Sequence, residues 1–250
     1  MATVSVRHVW KEYGPQVVLE NLQLEVADHE FVTIVGASGC GKTTFLKMLL
    51  GIEQPTRGEI LIDGVPLRPE PDPDRGIVFQ RYSLFPQLTA VENLLLGLEF
   101  GQSRLAGRLF GARRRAALQR CERLLEQVGL GAARDRYPAQ LSGGMQQRLS
   151  IAQSVICEPK ILLLDEPFGA LDPGITADMH RLILDLWAAN RMTIFMISHD
   201  IKESFELGTR LLTFDRLRVD PQSPERFGAR VTYDLRLRRP ATPPELSSRP

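Results

Sequence analysis

Nine consecutive residues restrict this chain more than any other feature: Gly36-Ala37-Ser38-Gly39-Cys40-Gly41-Lys42-Thr43-Thr44. They fit the pattern G-x-x-x-x-G-K-[ST], and their flanks are those the pattern needs. Before them, Phe31-Val32-Thr33-Ile34-Val35 is a short, apolar, β-branched run that predicts a buried strand. After them, Thr43 to Leu50 predicts the opening of a helix, stopped by Gly51. A strand that turns through glycines into a helix belongs to an α/β fold. Its loop curls successive backbone N–H groups into an anion nest at the helix N-terminus. The chemistry predicted is nucleotide binding. Gly36, Ser38, Gly39, Cys40, Gly41 and Thr44 surround the phosphates, Lys42 reaches the β- and γ-phosphates, and the Thr43 hydroxyl holds Mg²⁺. The alternative is a chance glycine-rich turn, which explains neither the strand before nor the helix after.

The rest of the composition narrows the class. A chain of 250 residues can bury a full α/β core, as one domain with room for a subdomain. Lys plus Arg number 31 against 30 Asp plus Glu, a balance that gives no support to nucleic acid as a partner. No run of 18 apolar residues exists, so no membrane-spanning helix is expected. The first residues alternate like a strand and show no signal-peptide core. Cys40, Cys121 and Cys157 are scattered without C-x-x-C spacing, which predicts a reduced, cytosolic protein with neither disulfides nor a zinc site.

Along the chain, Thr3–Trp10 and Val17–Val26 read as strands, with a turn at Lys11–Pro15 between them. Tyr13 in that turn is either a surface tyrosine or a ring that stacks on adenine. Residues 58–64 read as a strand, 66–73 as a proline-rich loop, and Gly76–Phe79 as a buried strand ending on Gln80. A polar residue at that edge of an open α/β sheet lies where ligands bind. Phe85 and Leu88, in the loop after Tyr82, read as core plugs in preference to a docking surface. Helices are predicted over Thr89–Leu98 and Ala112–Val128. Seven arginines between Arg104 and Arg123 read as the solvated face of the second, opposite its Ala117, Leu118, Cys121, Leu124, Leu125 and Val128 stripe. Ser142-Gly143-Gly144 opens a further helix, Met145–Ile156, and offers a second anion site. Ile161–Glu166 is an apolar strand ending in two carboxylates. Asp165 suits Mg²⁺ binding and Glu166 suits polarising a water against the γ-phosphate. A turn at Gly169–Pro173 leads into a helix, Thr176–Trp187. Thr193–Ser198 is one more buried strand, with His199 at its edge, and residues 229–237 alternate as an edge strand. Pro240–Pro250 reads as a disordered tail.

Taken together these residues resemble an ABC-type ATPase, over roughly residues 3–215. Gly36–Thr44 is similar to the Walker A motif, Leu141–Gln146 to the family's signature motif, and Ile161–Glu166 to Walker B with its catalytic glutamate. Gln80 falls at the Q-loop, Asp172 at the D-loop, His199 at the switch histidine and Tyr13 at the adenine-stacking position. Met145 departs from the pattern, standing where many members carry Gln.

The resemblance implies a P-loop NTPase fold: an F1- or RecA-like core, an antiparallel β-subdomain, and a helical subdomain at about residues 88–158, the ATPase domain spanning 1–238. It implies ATP and Mg²⁺ as ligands, with Lys42, Gln80, Glu166 and His199 catalytic and Thr43, Gln80 and Asp165 at the metal. Tyr13, the Gly36–Thr44 loop, Ser142, Gly143, Gly144 and Asp172 would bind nucleotide. It further implies a head-to-tail homodimer enclosing two ATP molecules. Permease subunits would dock near Gln80–Leu98 on the inner membrane's cytoplasmic face, with a periplasmic or extracellular substrate-binding protein as an indirect partner. Pro167–Asp172 resembles importers of nitrate, sulfonates and taurine. Ser198–Glu203, Leu207–Arg210 and Asp220–Gln222 resemble the urea-carboxylase-associated branch, with a urea- or guanidine-like cargo. The rival is a soluble ABC ATPase acting on DNA or the ribosome. Members of that class usually carry a long coiled coil or tandem cassettes, which this chain lacks. A phosphate-loop kinase has no use for Leu141–Gln146.

Overall fold

The computed structural model describes residues 2–79, 83–102, 107–169, 171–218, 220–223 and 225–237, with backbone alone at 101, 102 and 173. Gln80, Tyr82, Arg104, Ala170 and the 240–250 tail therefore lie outside the described residues.

Strands β1 (Val4–Tyr13), β2 (Gln16–Val26), β4 (Arg57–Ile62) and β5 (Val65–Pro66) form an antiparallel sheet in the order β2-β1-β4-β5. Lys11–Tyr13 belongs to β1, so the turn expected at Lys11–Pro15 contracts to Gly14 and Pro15. A second sheet has the order β10-β9-β3-β8-β7-β6. It contains β3 (Phe31–Gly36), β6 (Arg75–Val78), β7 (Ile161–Asp165), β8 (Thr193–Ile197), β9 (Arg210–Asp215) and β10 (Arg230–Arg236). Its neighbours pair in parallel except β10, which runs antiparallel on β9.

The central strands are apolar along their whole length because both faces are covered. Their side chains divide with period two. Leu162, Leu164, Ile194 and Met196 enter one core; Ile161, Leu163, Phe195 and Ile197 enter the other. The second core also holds α1 (Lys42–Leu50), whose Phe45 packs edge-on to Phe195 and tilted to Phe214, at centroid distances of 6.2 and 5.5 Å.

The first core extends into a helical lobe of α2 (Ala90–Gln102), α3 (Gly111–Gln127) and α4 (Gly143–Val155). Thr89 and Glu92 cap α2 reciprocally: Thr89 N–H donates to Glu92 Oε2 at 2.8 Å, and Glu92 N–H to Thr89 Oγ1 at 3.4 Å. The α3 stripe buries Ala117, Cys121 and Leu125, and Arg113, Arg114, Arg115 and Arg123 lie on the solvated side. In the loop before α2 the plug is Leu84; Phe85 is 40% exposed, its N–H donating to Asn93 Oδ1 at 2.8 Å. The last two helices are α5 (Pro173–Asn190) and the short α6 (Ile201–Leu207). In this sheet order the loops after β3, β7 and β8 emerge side by side at the strands' C-terminal edge, where open α/β sheets bind ligands.

Candidate nucleotide site

The loop after β3 is shaped by close approaches. Gly36 passes so near β9 that a Cβ there would sit 2.1 Å from the Phe214 carbonyl oxygen. Gly41, at φ +89°, would meet Leu19 and Val18 of β2 at 2.7 and 2.8 Å. Only glycine allows both that φ and that contact. Gly41 caps α1 with no side-chain partner, so the first N–H groups of the helix stay open toward the loop. Lys42, only 6% exposed, turns its ammonium onto the loop, donating to the carbonyls of Gly36 at 2.7 Å and Ala37 at 2.9 Å. Those carbonyls hold the cation without neutralising it, which leaves its charge for an anion. Cys40 is buried beneath, its Sγ 3.8 Å from Lys42 Nζ.

Thr43 Oγ1 donates to Asp165 Oδ1 at 3.4 Å, joining α1 to the tip of β7. Burial pushes the Asp165 carboxyl above its ordinary range; the Thr43 bond opposes this and the adjacent Glu166 charge adds to it. Glu166 turns off the strand in the left-handed region, φ 50°, which a non-glycine residue adopts where the surroundings enforce it. Its Oε1 lies 2.5 Å from His199 Nε2. His199 is presented by a turn in which the Ser198 hydroxyl accepts the Asp200 N–H at 3.0 Å and Asp200 caps α6.

These parts face one cleft of about 350 Å³, lined by Tyr13, Ser38, Gly39, Gly41, Lys42, Thr43, Thr44, Glu166 and His199, with Gln16 and Val18 from β2. Tyr13 is 44% exposed at the end of β1. Its hydroxyl donates to Glu53, a residue that sequence reasoning missed because the contact spans 40 positions. Oxygen donors at Thr43 and Asp165 suit Mg²⁺, which takes one or two protein oxygens and completes its shell with phosphate and water. Among the described residues no cluster of three His, Cys, Asp or Glu side chains offers an all-protein metal cage.

Ser142, Gly143 and Gly144 are not among the residues lining this cleft. Ser142 caps α4, accepting the Met145 N–H at 3.3 Å. Gly144 is pressed against Ile175, and Gln147 Nε2 donates to the Pro167 carbonyl at 2.6 Å, so the α4 N-terminus keeps company with α5 and the loop before it. Met145 packs partly into the core. Asp172 is exposed at the N-cap of α5.

A glycine loop between a buried strand and a helix, with paired carboxylates on a neighbouring strand tip, defines a phosphate-loop NTPase. The model of the ABC transporter family matches residues 19–169, and the chain belongs to that family. The chain is 41% identical over 215 residues to the bicarbonate transport ATP-binding protein CmpD of Synechocystis sp., covering 84% of this chain and 73% of that one. It is 41% identical to the nitrate import ATP-binding protein NrtD of Synechococcus elongatus, covering 80% and 70%. Among solved structures, a dimeric ATP-binding cassette in a post-hydrolysis state bound to ADP and Pi superposes with a TM-score of 0.75 at 30% identity, covering 94% of this chain and 99% of that one. The fold is that of an ABC ATPase, with a RecA/F1-like core and antiparallel and helical subdomains, and the chain is an ATP-hydrolysing subunit.

Proposed function

We propose that this chain energises an ABC importer of a small polar solute by binding and hydrolysing ATP in the cleft between Lys42 and the Glu166–His199 pair. The observation that carries the catalytic assignment is that pair: a carboxylate and an imidazole 2.5 Å apart, on adjacent strand tips, opposite the phosphate loop. In this reading the loop's N–H groups and Lys42 bind the phosphates, and Tyr13 stacks on the base. Glu166 accepts the proton of the water that attacks the γ-phosphorus, ADP leaves with the bridging oxygen, and His199 orients Glu166. Thr43 and Asp165 would hold Mg²⁺, which would neutralise charge on the phosphate oxygens, and the family resemblance adds Gln80 to that set.

A single helix N-terminus offers about half a charge, and enclosing a triphosphate takes more than one. We assign the second to Ser142-Gly143-Gly144 of another copy, in a head-to-tail dimer, with Asp172 also at the nucleotide. Support comes from their absence from the cleft's own lining and from the dimeric form of the solved cassette. The domain in this reading spans 1–238, with a helical subdomain at about 88–158 and a tail at 239–250. Permease subunits dock near Gln80–Leu98 at the cytoplasmic membrane face, with a substrate-binding protein on the far side. Among the described residues no helix is long and apolar enough to cross a membrane. The cargo we assign is a small nitrogen- or sulfur-containing solute, nitrate-, sulfonate- or taurine-like, or urea- or guanidine-like. Relatives named for bicarbonate and for nitrate share the same 41% identity, so the support for a branch rests on the local segments alone.

The test is Glu166→Gln, which keeps the shape of the side chain and removes its basicity. It is expected to bind ATP, to lose about 10²–10⁴ in hydrolysis rate, and to elute as an ATP-dependent dimer on gel filtration. Hydrolysis near the wild-type rate would overturn the assignment.

A further inference from the structure

Tyr13 is anchored more heavily than a stacking ring at the mouth of a cleft requires. Its hydroxyl donates to Glu53 Oε2. Lys11 Nζ lies over the ring at 4.8 Å from its centroid, and 3.3 Å from Glu53 Oε2. The Lys11 ammonium is fixed in turn by donation to the Gln54 carbonyl at 2.9 Å. Glu53 also faces Lys47 of α1 at 3.9 Å. Partial burial and the Glu53 carboxylate together push the Tyr13 phenol up to about 12, so it stays a hydrogen-bond donor throughout the physiological range.

Glu53 therefore stands where the end of β1 meets the segment after α1, with its side chain about one-fifth exposed. It has no reach into the phosphate loop: the loop's lysine is satisfied by its own carbonyls, and Glu53 does not line the cleft. Its contacts converge on the ring. A cation over one face of an aromatic ring draws on its π-density and fixes its plane. A charge-assisted hydrogen bond at the far end of the ring fixes its rotation and reach. An aromatic platform held in this way spends little conformational entropy when a base stacks on it.

We propose that Glu53, with Lys11, is a positioning pair for base recognition: it holds Tyr13 in the orientation that accepts a purine and so sets the affinity for the base without touching the nucleotide. This rests on the reading of Tyr13 as the base-stacking residue.

The experiment compares two ligands by calorimetry in the full chain with Mg²⁺: ATP, which has a base, and inorganic triphosphate, which has none. Glu53→Ala and Tyr13→Phe are each expected to raise the Kd for ATP about 3- to 10-fold, the cost of ordering a released aromatic side chain, and to leave the Kd for triphosphate unchanged. The double variant Glu53→Ala/Tyr13→Phe is expected to lose no more than either single one, because both cut the same bond. Glu53→Gln, which keeps an acceptor, should recover most of the loss. Equal loss of ATP and triphosphate binding would mean that Glu53 acts through α1 on the phosphate loop, and would overturn the proposal. Unchanged ATP binding in both single variants would overturn it as well. Tyr13→Ala separates this from failure of the underlying reading. If Tyr13→Ala weakens ATP binding while Glu53→Ala and Tyr13→Phe do not, only the positioning role falls. If Tyr13→Ala is also without effect, the stacking assignment itself is wrong.

Discussion

Asp165 carries opposed demands. Its folded-state pKa lies above its unfolded value, chiefly because burial penalises the charged form. Ionisation of such a group weakens the fold: the penalty is absent well below the unfolded value, grows as pH rises toward the folded value, and is complete above it. At neutral pH the protein therefore holds a carboxylate it would be more stable without, next to a hydroxyl suited to the same cation. Asp165→Asn is expected to raise the thermal midpoint of the nucleotide-free protein at pH 7, by about 2–4 °C for each kcal/mol relieved. The gain should shrink as pH falls toward 3.8, the ordinary value for the group. The same change should remove the extra stabilisation that Mg²⁺ adds to ATP in a melting scan. A variant that melts no higher than wild type at pH 7, or that still responds to Mg²⁺, would count against this account.

At the scale of elements, β9 and β10 depend on one buried cation. Arg210, 6% exposed at the head of β9, donates from Nε and Nη2 to the two carboxylate oxygens of Asp234 on β10, each at 2.7 Å. It reaches Glu30 at 3.0 Å and the Glu25 carbonyl at 2.6 Å. The Arg210 hydrogen bonds hold the Asp234 carboxyl below its ordinary value, against the effect of burial. That contribution is present above the unfolded value and is lost as pH falls through the folded one. Arg210→Met should cost about 1.5–3 kcal/mol in urea unfolding, since it removes charge-assisted hydrogen bonds to carboxylates that keep some access to water; adding Asp234→Leu should return part of it. No change in the urea midpoint would show that the clamp is idle. This cluster also explains what sequence reading left out. β3, β7 and β8 are legible because their apolar runs end at polar or glycine punctuation: Gly36, Asp165-Glu166 and Ser198-His199. β9 begins on an arginine whose neutralising partners are 24 and 180 residues away, so its apolar run reads as interrupted. α6, at seven residues, is too short to display a helical period. The candidate residues on strand tips and in the glycine loop are legible by spacing, whereas Glu53 is not, because its bond to Tyr13 is folded back from 40 residues away.

For the whole molecule, the question is whose nucleotide the α4 N-terminus serves. One subunit carrying Lys42→Ala and another carrying Ser142→Arg each form homodimers with a lesion in both shared sites. In a mixed dimer the lesions segregate, leaving one site intact and placing both lesions in the other. With Glu166→Gln added to block turnover, co-purified mixed dimers are expected to occlude about one ATP per two chains, as a shared two-fold arrangement requires. Mixed dimers that form yet occlude no more than either parent would sink the shared-site arrangement. In the shared-site arrangement proposed above, the position of Ser142, Gly143 and Gly144 outside their own chain's cleft would also govern kinetics. A chain that holds half of each reaction site turns over at a rate second order in protein. Specific activity should fall in proportion to concentration once the protein is diluted below its self-association constant. Two copies tethered on a permease are held at a high local concentration. Their rate per chain should be indifferent to dilution, which makes reaction order a direct measure of whether the chain is working alone or in its assembly.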